Sequence, residues 1–106
     1  MRSEFLIAVF LAVSEASLWE LKDLKYFVTV YEANSLMRAS ISLAIVQSNV
    51  SSRIKHLEED LGVTLFIRLR RGVRPTNKGD LLYRYAKDVL GKIEEAREMI
   101  KDLDAA

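Results

Sequence analysis

The chain of 106 residues contains no cysteine, one histidine (His56), one proline and four glycines. Without cysteine there is no disulfide scaffold, no thiol nucleophile and no zinc finger. A lone histidine leaves no room for a Ser-His-Asp or Cys-His mechanism that needs a dedicated partner. No G-x-x-x-x-G-K-[ST] run exists to cradle phosphates. No enzyme reading has a constellation behind it, and neither a cofactor nor a metal is expected.

Long hydrophobic runs are also missing. The longest, Phe5 to Val13, is nine residues, about half of what a membrane-spanning helix requires. It follows Arg2, which Glu4 offsets, and no small-x-small cleavage site succeeds it. Residues 1–20 therefore read as an apolar leader of one of two kinds. Arg2-Ser3 and Glu4-Phe5 are dipeptides that two common restriction sites encode, so the segment is either vector-derived or an extra helix. No membrane association is expected. What remains is 50% apolar and 29% charged, the composition of one folded domain.

The net charge of +1 conceals a segregation. Residues 1–33 and 80–106 are each −2, whereas residues 34–79 are +5. A basic middle between mildly acidic ends points to an anionic partner for the middle alone, nucleic acid being the common one. The alternative is a solvated basic face that binds nothing.

From Leu21 the pattern becomes helical. Leu24, Phe27, Val28 and Tyr31 follow Leu21 at three- and four-residue steps. Asn34 stops this helix, and Ser35 caps a second, short one with Leu36, Ala39, Ser40 and Leu43 on its inner face. Ala44-Ile45-Val46 is a turn. A third helix spans 47–61, with Val50, Ile54, Leu57 and Leu61 on one stripe within about 40°, and Gly62 ends it. Its other face carries Ser48, Ser52, Lys55 and Glu59, with Gln47 and Ser51 on the flank. All three of its acids lie in the C-terminal half, so its first turns can approach phosphates and base edges without like-charge repulsion. Gln47 and Ser51 have a second reading as caps of their own helix. His56 lies beyond those turns and reads as solvated.

Val63 to Leu69, the Arg70-Arg71-Gly72 turn and Val73-Arg74-Pro75 predict a two-stranded hairpin with arginines about its tip. Lys55, Arg70, Arg71 and Arg74 are assigned to the phosphate backbone and minor groove, Arg38 joining them more weakly. Thr76 caps the last helix, whose start Gly79 weakens. Leu82, Ala86, Val89, Ile93, Ala96, Ile100 and Leu103 then alternate four and three apart. A 3.5-residue repeat held this long favours a partner helix; the alternative is that this face packs only on its own domain. Trp19, Phe27, Tyr31 and Phe66 read as core.

These pieces describe a mainly α protein, a winged helix-turn-helix over 21–75 with a three-helix core and a two-stranded wing, followed by a long dimerisation helix over 76–106. The residues also carry a family likeness. Leu24-x-x-Phe27, Ser35-Leu36-x-x-Ala39, and Val50-Ser51-x-x-Ile54-x-x-Leu57-Glu58-x-x-Leu61-Gly62-Val63-x-Leu65-Phe66-x-Arg68 resemble the N-terminal domain of LysR-type transcriptional regulators. Arg71-Gly72-Val73 and Thr76-x-x-Gly79 extend the likeness, which covers about residues 21–100.

The resemblance implies a cytoplasmic homodimer or higher oligomer that binds double-stranded DNA at an interrupted inverted repeat. Its recognition helix, about 47–61, would enter the major groove, with the wing, 68–74, on backbone or minor groove. It makes Gln47, Ser48 and Ser51 groove-facing, and Ser52 takes a position that is commonly an arginine clamp. Arg53 would compensate, although it points about 100° away. Arg68 is a family hallmark that contacts DNA or braces the wing. Position 48 is commonly proline, Val46 replaces a usual Ser or Thr cap, and Ile41 replaces a polar residue. Family members continue into an effector-binding domain of two α/β lobes, so no small-molecule effector site is expected in this chain. A competing reading is an interaction protein that dimerises through 76–103 and antagonises a full-length regulator without strong DNA binding of its own.

Overall fold

A computed structural model describes residues 2–15 and 20–105, with the side chains of 9–15, 104 and 105 excepted. The elements run α1 (Arg2–Glu15), α2 (Leu21–Ala33), α3 (Leu36–Leu43), α4 (Gln47–Leu61), β1 (Phe66–Arg68), β2 (Val73–Pro75) and α5 (Asn77–Ala105). No helix among the described residues is long and apolar enough to cross a membrane. The leader is helical as α1, but every described side chain on it is exposed, Phe5, Leu6 and Ile7 included. Trp19, expected in the core, lies outside the described residues.

α2 is the hub because α3, α4 and α5 all pack against it. A helix enclosed on three sides buries a wider arc than one stripe, and Leu24, Phe27, Val28 and Val30 are all buried. Leu21, expected inward, is instead 50% exposed, since its turn projects past the packed region. The buried Asp23 caps the start of the helix: its Oδ2 accepts from the Glu20 amide at 2.8 Å. At the other end Asn34 adopts φ 54°, a left-handed cap that asparagine tolerates.

The short α3 begins as expected, with Ser35 Oγ accepting from the Arg38 amide at 3.1 Å. It turns through Ala44, also left-handed at φ 57°, into α4. Val50, Ile54 and Leu57 of α4 are buried against α2 and α3, while Leu61 is 40% exposed on the last turn. Leu61 thus leaves the stripe where the helix outruns its neighbours. Gly62 closes α4 at φ 66°, its amide bonding back to the last-turn carbonyls.

The hairpin is shorter than the sequence suggests. β1 and β2 pair antiparallel with Ile67 opposite Arg74 and Arg68 opposite Val73. Residues 63–65 stay outside the ladder because the Glu58 carboxylate takes their end of the strand, accepting from the Leu65 amide at 2.7 Å and the Phe66 amide at 3.3 Å. Phe66 packs on Phe27 with ring centroids 5.2 Å apart, tying the wing to the hub. Across the tip, the Leu69 amide bonds to the Gly72 carbonyl, and the Val73 amide reaches Asn34 O at 3.0 Å. A Cβ on Gly72 would stand 2.4 Å from that same carbonyl oxygen, and its φ is +88°. Only glycine meets both conditions.

α5 starts with Thr76 Oγ1 accepting from the Gly79 amide and donating to the Thr64 carbonyl. Gly79 does more than weaken this start. A Cβ there would meet Leu65 O at 2.3 Å, so its absence lets the helix begin against the strand. Ala86 is buried, and Leu82, Tyr83 and Leu90 pack partly on the same core. Ala86, a partner-facing position of the expected repeat, belongs instead to the domain's own interior, and Leu82 is half-buried against the same core. The architecture is the winged helix-turn-helix with a long C-terminal helix.

Candidate nucleic-acid interface

The first two turns of α4 present small polar side chains because nothing covers them. Gln47, Ser48 and Ser52 are exposed, as is Lys55 one turn further on. Val46, at the cap position, is 62% exposed and offers no side-chain acceptor to the helix. The unsatisfied amide dipoles of such a start favour an anion.

Ser51 is different. It is half-buried, and its Oγ accepts from Arg68 Nη2 at 2.8 Å. Arg68 therefore braces β1 against α4, one of the two roles considered for it, and Ser51 is the anchor of that brace. Arg53 departs further from expectation. Its Nη1 lies 3.1 Å from Asp23 Oδ1, and Asp23 is 1% exposed. A carboxylate buried beside a guanidinium holds that charge inside the structure, so Arg53 joins α4 to α2 instead of compensating for Ser52.

Around α4 the basic residues form one continuous border. Ser51, Lys55 and Arg68 line one surface depression, and Arg68 with Gln47 and Met37 lines the next. Met37 also borders a third, where Arg38 of α3 faces Arg71 of the wing tip. Arg70 is exposed at the tip, and Arg74 points away from the buried Val73 on the outer side of the ribbon. Thus Gln47, Lys55, Arg38, Arg68 and Arg71 share a face, while Arg70 and Arg74 extend it. Met37, 58% exposed in its middle, was not anticipated, since the α3 periodicity marks only the inward positions. The acids stay off the first turn: Glu58 is turned to the strand amides at the edge of the Lys55 depression, Glu59 borders a depression with Ser52 and Lys55, and Asp60 lies at the far end of α4. His56 is half-buried and lines a depression shared with Ser52, Arg53, Lys55 and Glu59.

Along α5 the exposed apolar positions are Leu81, Tyr85, Val89, Ala96, Met99, Ile100 and Leu103, with Ile93 half-buried. The stripe is rotated from the expected repeat near its start, where Leu81 and Tyr85 stand in place of Leu82 and Ala86. The i, i+4 steps Leu81–Tyr85–Val89 carry that signal in the sequence. At the α2–α5 joint, Tyr31 and Tyr83 stack with centroids 3.9 Å apart and planes at 8°. The Tyr31 hydroxyl donates to Asp80 and the Tyr83 hydroxyl donates to Glu32, at 2.8 and 2.5 Å. Each bond to a carboxylate raises its tyrosine's pKa, helped by partial burial and the acid's charge. In turn the Tyr83 hydroxyl lowers the Glu32 pKa, burial partly opposes this, and Lys87 lowers it further.

The profile of the bacterial regulatory helix-turn-helix proteins of the LysR family matches residues 21–80. The transcriptional regulator GbpR of Azospirillum brasilense is 43% identical over 84 residues, covering 79% of this chain and 25% of that protein. BenM of Acinetobacter baylyi is 39% identical over 82 residues, 77% of this chain and 27% of that protein. Among solved structures, the BenM DNA-binding domain in complex with catB site 1 DNA superposes with a TM-score of 0.78 at 37% identity, covering 82% of this chain and 98% of that one. The DNA complex of the CbnR DNA-binding domain gives 0.76 at 29% identity, covering 80% and 98%. The chain spans about a quarter of the length of these two curated relatives. It belongs to the LysR family of bacterial regulatory helix-turn-helix proteins.

Proposed function

We propose that this domain binds double-stranded DNA as a dimer and serves a cytoplasmic transcriptional regulator. The observation that carries the reading is the acid-free start of α4, where Gln47, Ser48 and Ser52 stand exposed with Lys55 one turn on, bordered by Arg38, Arg68 and Arg71. In this arrangement α4 enters the major groove. Gln47 addresses base edges, where its amide can pair with adenine, and Ser48 and Ser52 donate or accept beside it. Ser51 contributes through its link to Arg68. Lys55, Arg38, Arg70, Arg71 and Arg74 neutralise phosphates. Two copies pair through the exposed stripe of α5, from Leu81 and Tyr85 to Ile100 and Leu103, which a solvated helix would not otherwise carry. Two-fold pairing makes the target an interrupted inverted repeat. The DNA complexes of the related BenM and CbnR domains support this reading over an antagonist that dimerises without binding DNA.

Selection of bound duplexes from a random pool tests it. The expected product is an inverted repeat, and substitution of Ile100 by glutamate abolishes enrichment by breaking the pair. A dimeric chain that enriches no duplex at low salt overturns the DNA-binding reading.

A further inference from the structure

We propose that the Tyr31–Tyr83 stack, with Asp80, Glu32 and Lys87, is a clasp that sets the angle at which α5 leaves the winged-helix body. In a dimer it thereby sets the spacing between half-sites, a consequence that rests on the DNA-binding reading above.

The two helices contribute alternately. Tyr31 and Glu32 come from α2, and Asp80, Tyr83 and Lys87 from α5. Each tyrosine hydroxyl donates to a carboxylate on the opposite helix, and Lys87 Nζ closes on Glu32 at 3.4 Å. Near-parallel rings with centroids 3.9 Å apart make a close stacked contact between the two helices. Crossed hydrogen bonds at both hydroxyls hold it. Such a contact resists sliding and rotation, whereas Leu82, Ala86 and Leu90 beneath it supply apolar contact with less directional preference.

The clasp also sits where leverage is greatest. Beyond Leu90, Ile93 is the one described side chain that is not exposed. The remaining stretch of α5 is about 22 Å long at ~1.5 Å per residue, so a tilt of about 10° moves its end by roughly 4 Å. That displacement is comparable with one base-pair step of about 3.4 Å. A loosened joint would therefore blur the preferred spacing while leaving each recognition helix intact.

The chain's lack of cysteine permits a direct measurement. Spin labels on Asp60→Cys and Glu98→Cys in one chain, diluted with unlabelled protein, report the angle between α4 and the far half of α5. A narrow distance distribution is expected, which Tyr83→Leu or Tyr31→Ala broadens or shifts and which Tyr83→Phe, losing one crossed bond but keeping the rings, broadens less. In unlabelled protein, a duplex series with half-site spacers varied one base pair at a time gives the second readout. Tyr83→Leu should lose about fivefold or more of the discrimination between adjacent spacers, the order of one mismatched pair, with affinity for a single half-site unchanged. Unchanged distances and spacer choice in a folded Tyr83→Leu overturn the proposal. Should that variant not fold, Glu32→Gln with Tyr83→Phe removes both ends of one crossed bond while keeping the rings, and unchanged distances there overturn it equally. Altered distances in a chain that binds no duplex would uphold the clasp and refute the DNA-binding reading.

Discussion

Arg68 donates through Nη2 to Ser51 Oγ over 2.8 Å, joining the wing to the helix proposed to lie in the groove. Replacing either partner leaves the other without its bond at a solvent-accessible site, so the stability cost is small, about 0.5–1.5 kcal/mol. The effect on binding should be larger for Arg68→Ala, which also removes a cation from the border. Ser51→Ala should weaken binding less, by loosening the register of the wing. A double-mutant cycle on duplex affinity measures the coupling between the two.

Gln47→Ala should relax preference at one position of each half-site, costing about 1–3 kcal/mol on the preferred sequence. Arg71→Ala should weaken binding to all duplexes alike and reduce the salt slope by about 1. Affinities for matched and randomised duplexes across a salt series separate these outcomes. Equal losses on both duplexes for Gln47→Ala would remove it from the base-reading set.

The Asp23–Arg53 pair is internal at one end and partly solvated at the other, with side chains 1% and 39% exposed. Arg53→Met strands a buried carboxylate and should cost about 2 kcal/mol, below the ~3–5 kcal/mol of a fully buried pair because water reaches the guanidinium. Asp23→Asn combined with Arg53→Met should recover part of this loss. Urea denaturation of the three variants is the measurement.

Two glycines should respond differently to alanine. Gly79→Ala forces a Cβ to 2.3 Å from a backbone oxygen and should cost about 1–3 kcal/mol by overpacking the start of α5. Gly62→Ala meets nothing within 4 Å and should cost only the left-handed backbone penalty of about 1–2 kcal/mol. Denaturation midpoints rank them.

The clasp defines a pH window. Glu32 has its pKa lowered by the Tyr83 hydroxyl, so its contribution is complete above its ordinary 4.5 and is lost as pH falls through the depressed value. Tyr31 and Tyr83 have raised values, so theirs is complete below 10.0 and lost as pH rises through the folded-state pKa. The difference in thermal midpoint between the parent chain and Glu32→Gln should be flat between 4.5 and 10.0 and shrink both in acid and, as Tyr83 ionises, in alkali. Ultraviolet titration of tyrosinate should show delayed ionisation that Glu32→Gln advances.

Much of this was legible from spacing. Asn34, Ser35, Gly62 and Thr76 end or begin helices where their side chains or backbone freedom dictate, and such capping chemistry is local. Val50, Ile54 and Leu57 were legible for the same reason. What escaped was non-local. Asp23 and Arg53 are thirty residues apart, and nothing in either neighbourhood announces the pair. Leu82 and Ala86 fit a partner-facing repeat as well as an internal one, and only the closeness of α2 decides between them. Glu58 reads as a surface acid until the strand amides it serves are in place. The exposed face of α4 was easier, because a polar surface needs no distant partner to define it.

The contact between Gly72 and the Asn34 carbonyl leaves the wing with a fixed mount and a free end. Arg70 and Arg71 lie outside that mount, held by no buried side chain of their own. Lengthening or recharging the loop between Leu69 and Gly72 would thus alter what the tip touches without dislodging its base, which makes those two positions the natural place to retune grip while the frame that aims it stays put.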